Sequence, residues 1–300
     1  KNPTGWRRAL SKKKKSFYMF NYGLLFAFIA FYFIIKNETK FSNTIVSLML
    51  SLAVLSQQWM LILVVARQIV ELVNNIKLKN GLNVYIKNLA VQVVLLSPAL
   101  LIFFIWKGLT VPQFNIHQLK PTFEHANAVF ANIGFIGIFI ILFNFKRFLN
   151  INYLSLIFLI PLIWLTIPNH SNLHGLENST GVAAQICTQL QKFVLIPYNF
   201  SMLILVFFGI LVYVLVFINK SDKFSHILKL FIIGLSVVFT SSVKLGASHI
   251  YILVPFIFLY FRDEIDGNKY LKQSILIQMY FLALFYLIYY TNFITTNNSL

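Results

Sequence analysis

Between Leu95 and Phe145 the chain reads LLSPALLIFFIWKGLTVPQFNIHQLKPTFEHANAVFANIGFIGIFIILFNF, two long apolar runs joined by a polar segment that carries Lys107, His117, Lys120, Glu124 and His125. A helix needs about 20 apolar residues to cross the hydrocarbon core of a bilayer, and both runs approach that length. Ionisable residues gathered at the mouth of such a hairpin point to chemistry at the membrane face.

The rest of the chain agrees with that hairpin. Of 300 residues, 58% are hydrophobic, 17% aromatic and only 11% charged, with a mean hydropathy of +0.76. There is too little polar surface here to cover a water-soluble core. In lipid, backbone polar groups must be satisfied within each segment, which excludes an open sheet. The expected fold is therefore an all-α, polytopic transmembrane bundle. Apolar runs give about nine spans, starting near Phe17, Thr44, Leu89, His125, Tyr153, Val194, Ile227, Ser248 and Ile275. They divide the chain into a basic cytoplasmic segment (1–16), one transmembrane domain (17–292) and a tail (293–300).

The net charge of +17, from 25 Lys and Arg against 8 acids, is first a statement about topology, because basic loops resist translocation. With the N-terminus cytoplasmic, 19 of the 25 cations fall on inner segments. Two long segments, 107–124 and 168–192, then face the exterior or lumen of a bacterial plasma membrane or a eukaryotic endoplasmic reticulum. The run Lys12 to Lys15 reads as an anchor on anionic headgroups, so the expected partners include membrane lipids and no nucleic acid. The sequence opens on Lys1, and an N-terminal portion of a longer protein is expected to precede it.

A single cysteine, Cys187, excludes an internal disulfide. No HExxH, glycine-rich nucleotide loop or Ser-His-Asp order occurs, so no metal site and no cofactor is expected, and a need for a divalent metal stays open. Glu71, Asp222, Asp263, Glu264 and Asp266 lie among the inner cations and read as solvated ion-pair partners. Glu124 and Glu177 lie on the outer loops near histidines: His117 and His125 on the first, His170 and His174 on the second. General acid-base work requires a carboxylate or imidazole within reach of substrate, and the outer face alone collects both. Within the spans, Gln57, Gln58 and Trp59 interrupt one apolar helix and Gln92 another. Amides in hydrocarbon need partners and should face the bundle interior.

Three segments in order carry a resemblance: LAVLSQQWMLIL (Leu52 to Leu63), PALLIFFIWKGLTVPQFNIH (Pro98 to His117) and HIYILVPF (His249 to Phe256). Together they resemble the GT-C superfamily of membrane glycosyltransferases, nearest the group around the alpha-1,2-glucosyltransferase that uses a dolichyl-phosphate sugar, with its bacterial relatives. Gln57 stands where that group has Arg, and His249 stands where it has Arg. The group's acidic first outer loop has no match. The resemblance implies a GT-C-like bundle that transfers sugar from a polyprenyl-phosphate donor to a lipid-linked or glycan acceptor at the outer or lumenal face. On that basis Glu124, His125 and His117 would serve the acceptor as catalytic groups. Lys107, Lys120, Lys244 and His249 would meet the donor phosphate, with Gln57, Gln58, Trp59, His170, His174 and Glu177 in contact with substrate. The same intramembrane Gln, His and Lys pattern also suits a transporter or flippase of a lipid-linked or anionic substrate, and a purely structural membrane subunit is the third possibility.

Overall fold

The computed structural model describes residues 22–36, 40–76, 78, 81–108, 126–149, 181–218, 222–240 and 251–298, and among them every regular element is helical. The helices are α1 (Tyr22–Lys36), α2 (Lys40–Ser56), α3 (Leu61–Ile76), α4 (Gly81–Trp106), α5 (Ala126–Phe143), α6 (Phe145–Leu149), α7 (Gly181–Val194), α8 (Tyr198–Ile218), α9 (Lys223–Thr240), α10 (Leu253–Tyr260), α11 (Arg262–Gly267) and α12 (Lys269–Asn298). A 3-10 turn, Gln58–Met60, joins α2 to α3. Five helical stretches among the described residues are long and apolar enough to cross a membrane: Gln58–Ile76, α4, α5, α8 and α9. This is a membrane-protein composition.

Local chemistry sets the helix ends. Asp222 caps α9, its Oδ1 accepting the Ser225 amide at 2.8 Å, and Asn268 caps α12 by accepting the amides of Tyr270 and Leu271 at 3.0 and 3.1 Å. Short polar side chains there satisfy amides that the helix leaves orphaned. At the far end of α4, Gly108 donates to Phe103 O and Lys107 to Phe104 O, with Lys107 in the left-handed region at φ 54°. That pair of bonds is a Schellman stop, in which glycine usually holds the position taken by Lys107.

The chain forms two compact units. Unit 1 comprises Lys1–Lys120, Lys220–Val238 and Ser242–Lys244. Its described core brings together Ala27, Phe31, Leu50, Leu63 and Phe231, all at most 1% exposed. Phe31 meets Phe224 edge to face, with ring centres 5.3 Å apart. Unit 2 holds α5 to α8 and α10 to α12, built around the pair α5 and α8. Gly134 lies against the Leu205 carbonyl and Gly209 against the Phe130 carbonyl, so a Cβ at either position would fall on backbone atoms. Small residues let two apolar helices approach this closely, which is how packing is gained in lipid. Asn132 of α5 then ties in two neighbours, its Oδ1 accepting the Ala183 amide and the Tyr251 hydroxyl, each at 3.3 Å.

Several expectations are corrected. The run from Thr44 is not one span: at Gln57 the backbone turns extended (φ −153°, ψ 108°), and α3 runs back antiparallel to α2. The returning direction is recorded by Arg67 meeting Ser47. Four helices, α1 to α4, occupy the stretch where three spans were expected, and of these Gln58–Ile76 and α4 are long and apolar enough to cross a membrane. Gly23, at the start of α1, packs on Gln57, so the start of α1 and the end of α4 lie toward the same end of unit 1. The 168–192 segment is helical from Gly181, and α12 continues to Asn298, into the region expected as a tail. The run from Tyr153 lies outside the described residues.

Candidate functional site

Serines at 47 and 51 fall on one face of α2, Arg67 and Glu71 on one face of α3, and Gln92 on α4. Spacings of four place each pair a single turn apart. In unit 1 these five side chains close into one network, each no more than 4% exposed. Arg67 donates from Nε to Glu71 Oε1 at 2.9 Å, and from Nη1 to Ser47 Oγ at 3.1 Å and Gln92 Oε1 at 3.3 Å. Gln92 Nε2 donates to Ser51 Oγ at 3.1 Å and to the Ser47 carbonyl at 3.3 Å, while Ser51 Oγ donates back to that carbonyl at 2.8 Å. A guanidinium and a carboxylate withdrawn from water are tolerable only when each is paired and its remaining donors are used. Gln92 supplies the amide partner that its place in an apolar helix required.

The network has one open position. Glu71 Oε2 is buried and has no hydrogen-bond partner among the described residues. Glu71 and Arg67 form part of the wall of a cavity of about 180 Å³, with Asn43, Asp222 and Lys223 as the other polar lining residues among those described. Phe33, Val46 and Ile227 supply apolar wall. Lys223 Nζ lies 4.0 Å from Glu71 Oε1, with its side chain 43% exposed. The reading of Glu71 as a solvated loop acid is therefore corrected: a turn of α3 carries it inward, where Arg67 neutralises it. Asp263 and Asp266 do make the exposed ion pairs expected of them, with Arg262 and Lys272.

Of the residues singled out from sequence, Gln57, Gln58, Trp59 and Lys107 are described. Gln57 is 8% exposed and its Oε1 has no partner among the described residues; Gln58 and Trp59 are half-buried. They form the turn between α2 and α3, opposite in unit 1 to the cavity. Lys107 is exposed at the close of α4. Its position is about 22 Å past Gln92 along α4, while Gln57 is about 9 Å past Ser51 along α2, both leading away from the cavity. Glu124, His125, His117, Lys120, Lys244, His249, His170, His174 and Glu177 lie outside the described residues. Among the described residues no group of three metal-ligating side chains comes together.

Arg67, Glu71, Asp222 and Lys223 escaped the sequence reading as site residues. Their signal was the pairing of two i,i+4 polar couples with an intramembrane Gln, which the assumption of a cytoplasmic loop around Arg67 concealed. Comparison with protein-family models, with curated proteins and with solved structures finds no match.

Proposed function

We propose that the chain is an integral membrane glycosyltransferase that moves a sugar from a polyprenyl-phosphate donor to a lipid-linked or glycan acceptor at the outer or lumenal face. The observation that carries this reading is that the Gln57 turn and the Lys107 end of α4 lead to the same end of unit 1. These belong to the first two segments that resemble the GT-C superfamily. In this reading the Lys107 end is the outer one, and the start of α1 lies there too.

The chemistry follows from the donor. An acceptor hydroxyl loses its proton to a carboxylate or imidazole, for which Glu124, His125 and His117 are the candidates. Its oxygen attacks the anomeric carbon, the bond from that carbon to the phosphate oxygen breaks, and the lipid phosphate leaves with the electron pair. Cations at the membrane border, Lys107 with Lys120, Lys244 and His249, stabilise that departing charge.

The test is transfer of radiolabelled sugar from a polyprenyl-phosphate donor to a lipid-linked acceptor by purified protein. Alanine at Glu124 or His125 should cut turnover more than donor binding. A transporter of a lipid-linked or anionic substrate is the second reading, which the buried Gln residues of an apolar bundle also suit. Uptake into proteoliposomes with no glycosylated product selects it and sinks the enzyme.

A further inference from the structure

The cavity at the opposite end of unit 1 belongs to neither of those segments, and its chemistry is legible on its own terms. Arg67 directs Nε and Nη1 at protein acceptors, so it is held in the wall by the protein's own groups. Among the described residues Glu71 Oε2 is buried without a hydrogen-bond partner, on a residue that lines the cavity, so a donor is what this site calls for. A buried carboxylate oxygen left unmade is costly. At the mouth stands a cation, the half-exposed Lys223. A molecule that satisfies both brings an N–H donor inward and an anion outward.

The location fits a headgroup. Tyr32 and Lys36 sit on the last turn of α1 beside the cavity wall at Phe33, with Lys36 Nζ 3.2 Å from the Tyr32 hydroxyl and 5.5 Å from its ring centre. Tyr and Lys at a helix end mark the membrane-water border. A volume of about 180 Å³ is well above the roughly 10–15 Å³ that one water needs on the same measure, which leaves room for a small polar group. We infer that this cavity binds a zwitterion pairing a primary ammonium with a phosphate, the chemistry of phosphoethanolamine: the ammonium donates to Glu71 Oε2 and the phosphate meets Lys223. The inference holds whichever reaction the chain performs.

Thermal unfolding of the full chain in nanodiscs tests it. Phosphatidylethanolamine in a phosphatidylcholine background should raise the midpoint by roughly 4 °C over phosphatidylcholine alone, because a trimethylammonium has no N–H to give. Millimolar phosphoethanolamine added to pure phosphatidylcholine discs separates the sources: the same rise identifies a free ligand, and no rise identifies the lipid headgroup. Glu71→Gln should abolish the rise. Should that variant fail to fold, Lys223→Gln at the exposed mouth decides, with the rise at least halved. Equal midpoints in all three mixtures, or an undiminished rise in the variants that fold, overturns the proposal.

Discussion

Ser47 Oγ and Arg67 Nη1 are 3.1 Å apart across 20 residues of sequence, and this contact records the reversal of α3 against α2. Gln92 reaches the same serine from α4, so three successive helices meet at one level. The charged pair is thereby buried within unit 1 and is met by hydroxyl and amide groups. The reversal, rather than the charge of any loop, decides which chain ends share a face.

Side-specific labelling measures this directly. In a Cys187→Ser background, Lys36→Cys and Leu78→Cys should react with an impermeant maleimide from the same side of sealed vesicles, because α2 and α3 form a returning pair. Gly108→Cys should react from the other side. Lys36 and Leu78 on opposite sides would restore a single span through Gln57 and refute the returning pair.

Composition alone made the membrane class and the helical class legible, since 58% hydrophobic residues leave no other solvent for the fold. The inward direction of Gln92 was legible too, because an amide in hydrocarbon needs a partner and Gln92 finds Arg67, Ser47 and Ser51. What escaped was the turn. Gln57, Gln58 and Trp59 are a short polar dip in an otherwise apolar run, and hydropathy reports length and not direction. Once that run was read as one span, Arg67 and Glu71 fell on the cytoplasmic side and were counted as loop charges. Glycine behaved likewise: Gly134 and Gly209 look incidental in sequence, and only their carbonyl neighbours explain them.

The buried ion pair predicts an asymmetric mutant series. Arg67→Met leaves the Glu71 carboxylate withdrawn from water with Lys223 4.0 Å away as a remaining cation, and should cost about 3–5 kcal/mol in a reversible detergent-unfolding titration. Arg67→Met with Glu71→Leu removes both charges and should recover most of that loss. A double variant no more stable than the single one would show that the pair is not what holds α3 in place.

Helix contact in unit 2 predicts opposite outcomes for one substitution. Gly209→Ala puts a Cβ onto the Phe130 carbonyl, so α5 and α8 must separate, and the loss should exceed the gain of about 1 kcal/mol that alanine brings to a helix. Gly267→Ala meets nothing within 4 Å and should be neutral or stabilising by up to about 1 kcal/mol. Unfolding midpoints of the two variants, measured in the same detergent, check the sign of each. Equal effects would mean that the approach of α5 to α8 is not limited by the missing side chain.

Cys187 offers a pH test on α7, which is not among the five candidate spans. Its side chain is fully buried, and burial, which disfavours the thiolate, pushes the thiol up to about 12 from 9.0. The folded state therefore keeps a proton that the unfolded chain releases above pH 9. Below that pH the thiol makes stability independent of pH, and between about 9 and 12 its contribution falls as pH rises. Because only the thiolate attacks a maleimide, labelling of folded protein at pH 8 should be negligible and should become complete after denaturation. Cys187→Ala should remove this component of the alkaline loss while leaving other titrations untouched. Rapid labelling of the folded chain at pH 8 would show that α7 does not enclose the thiol.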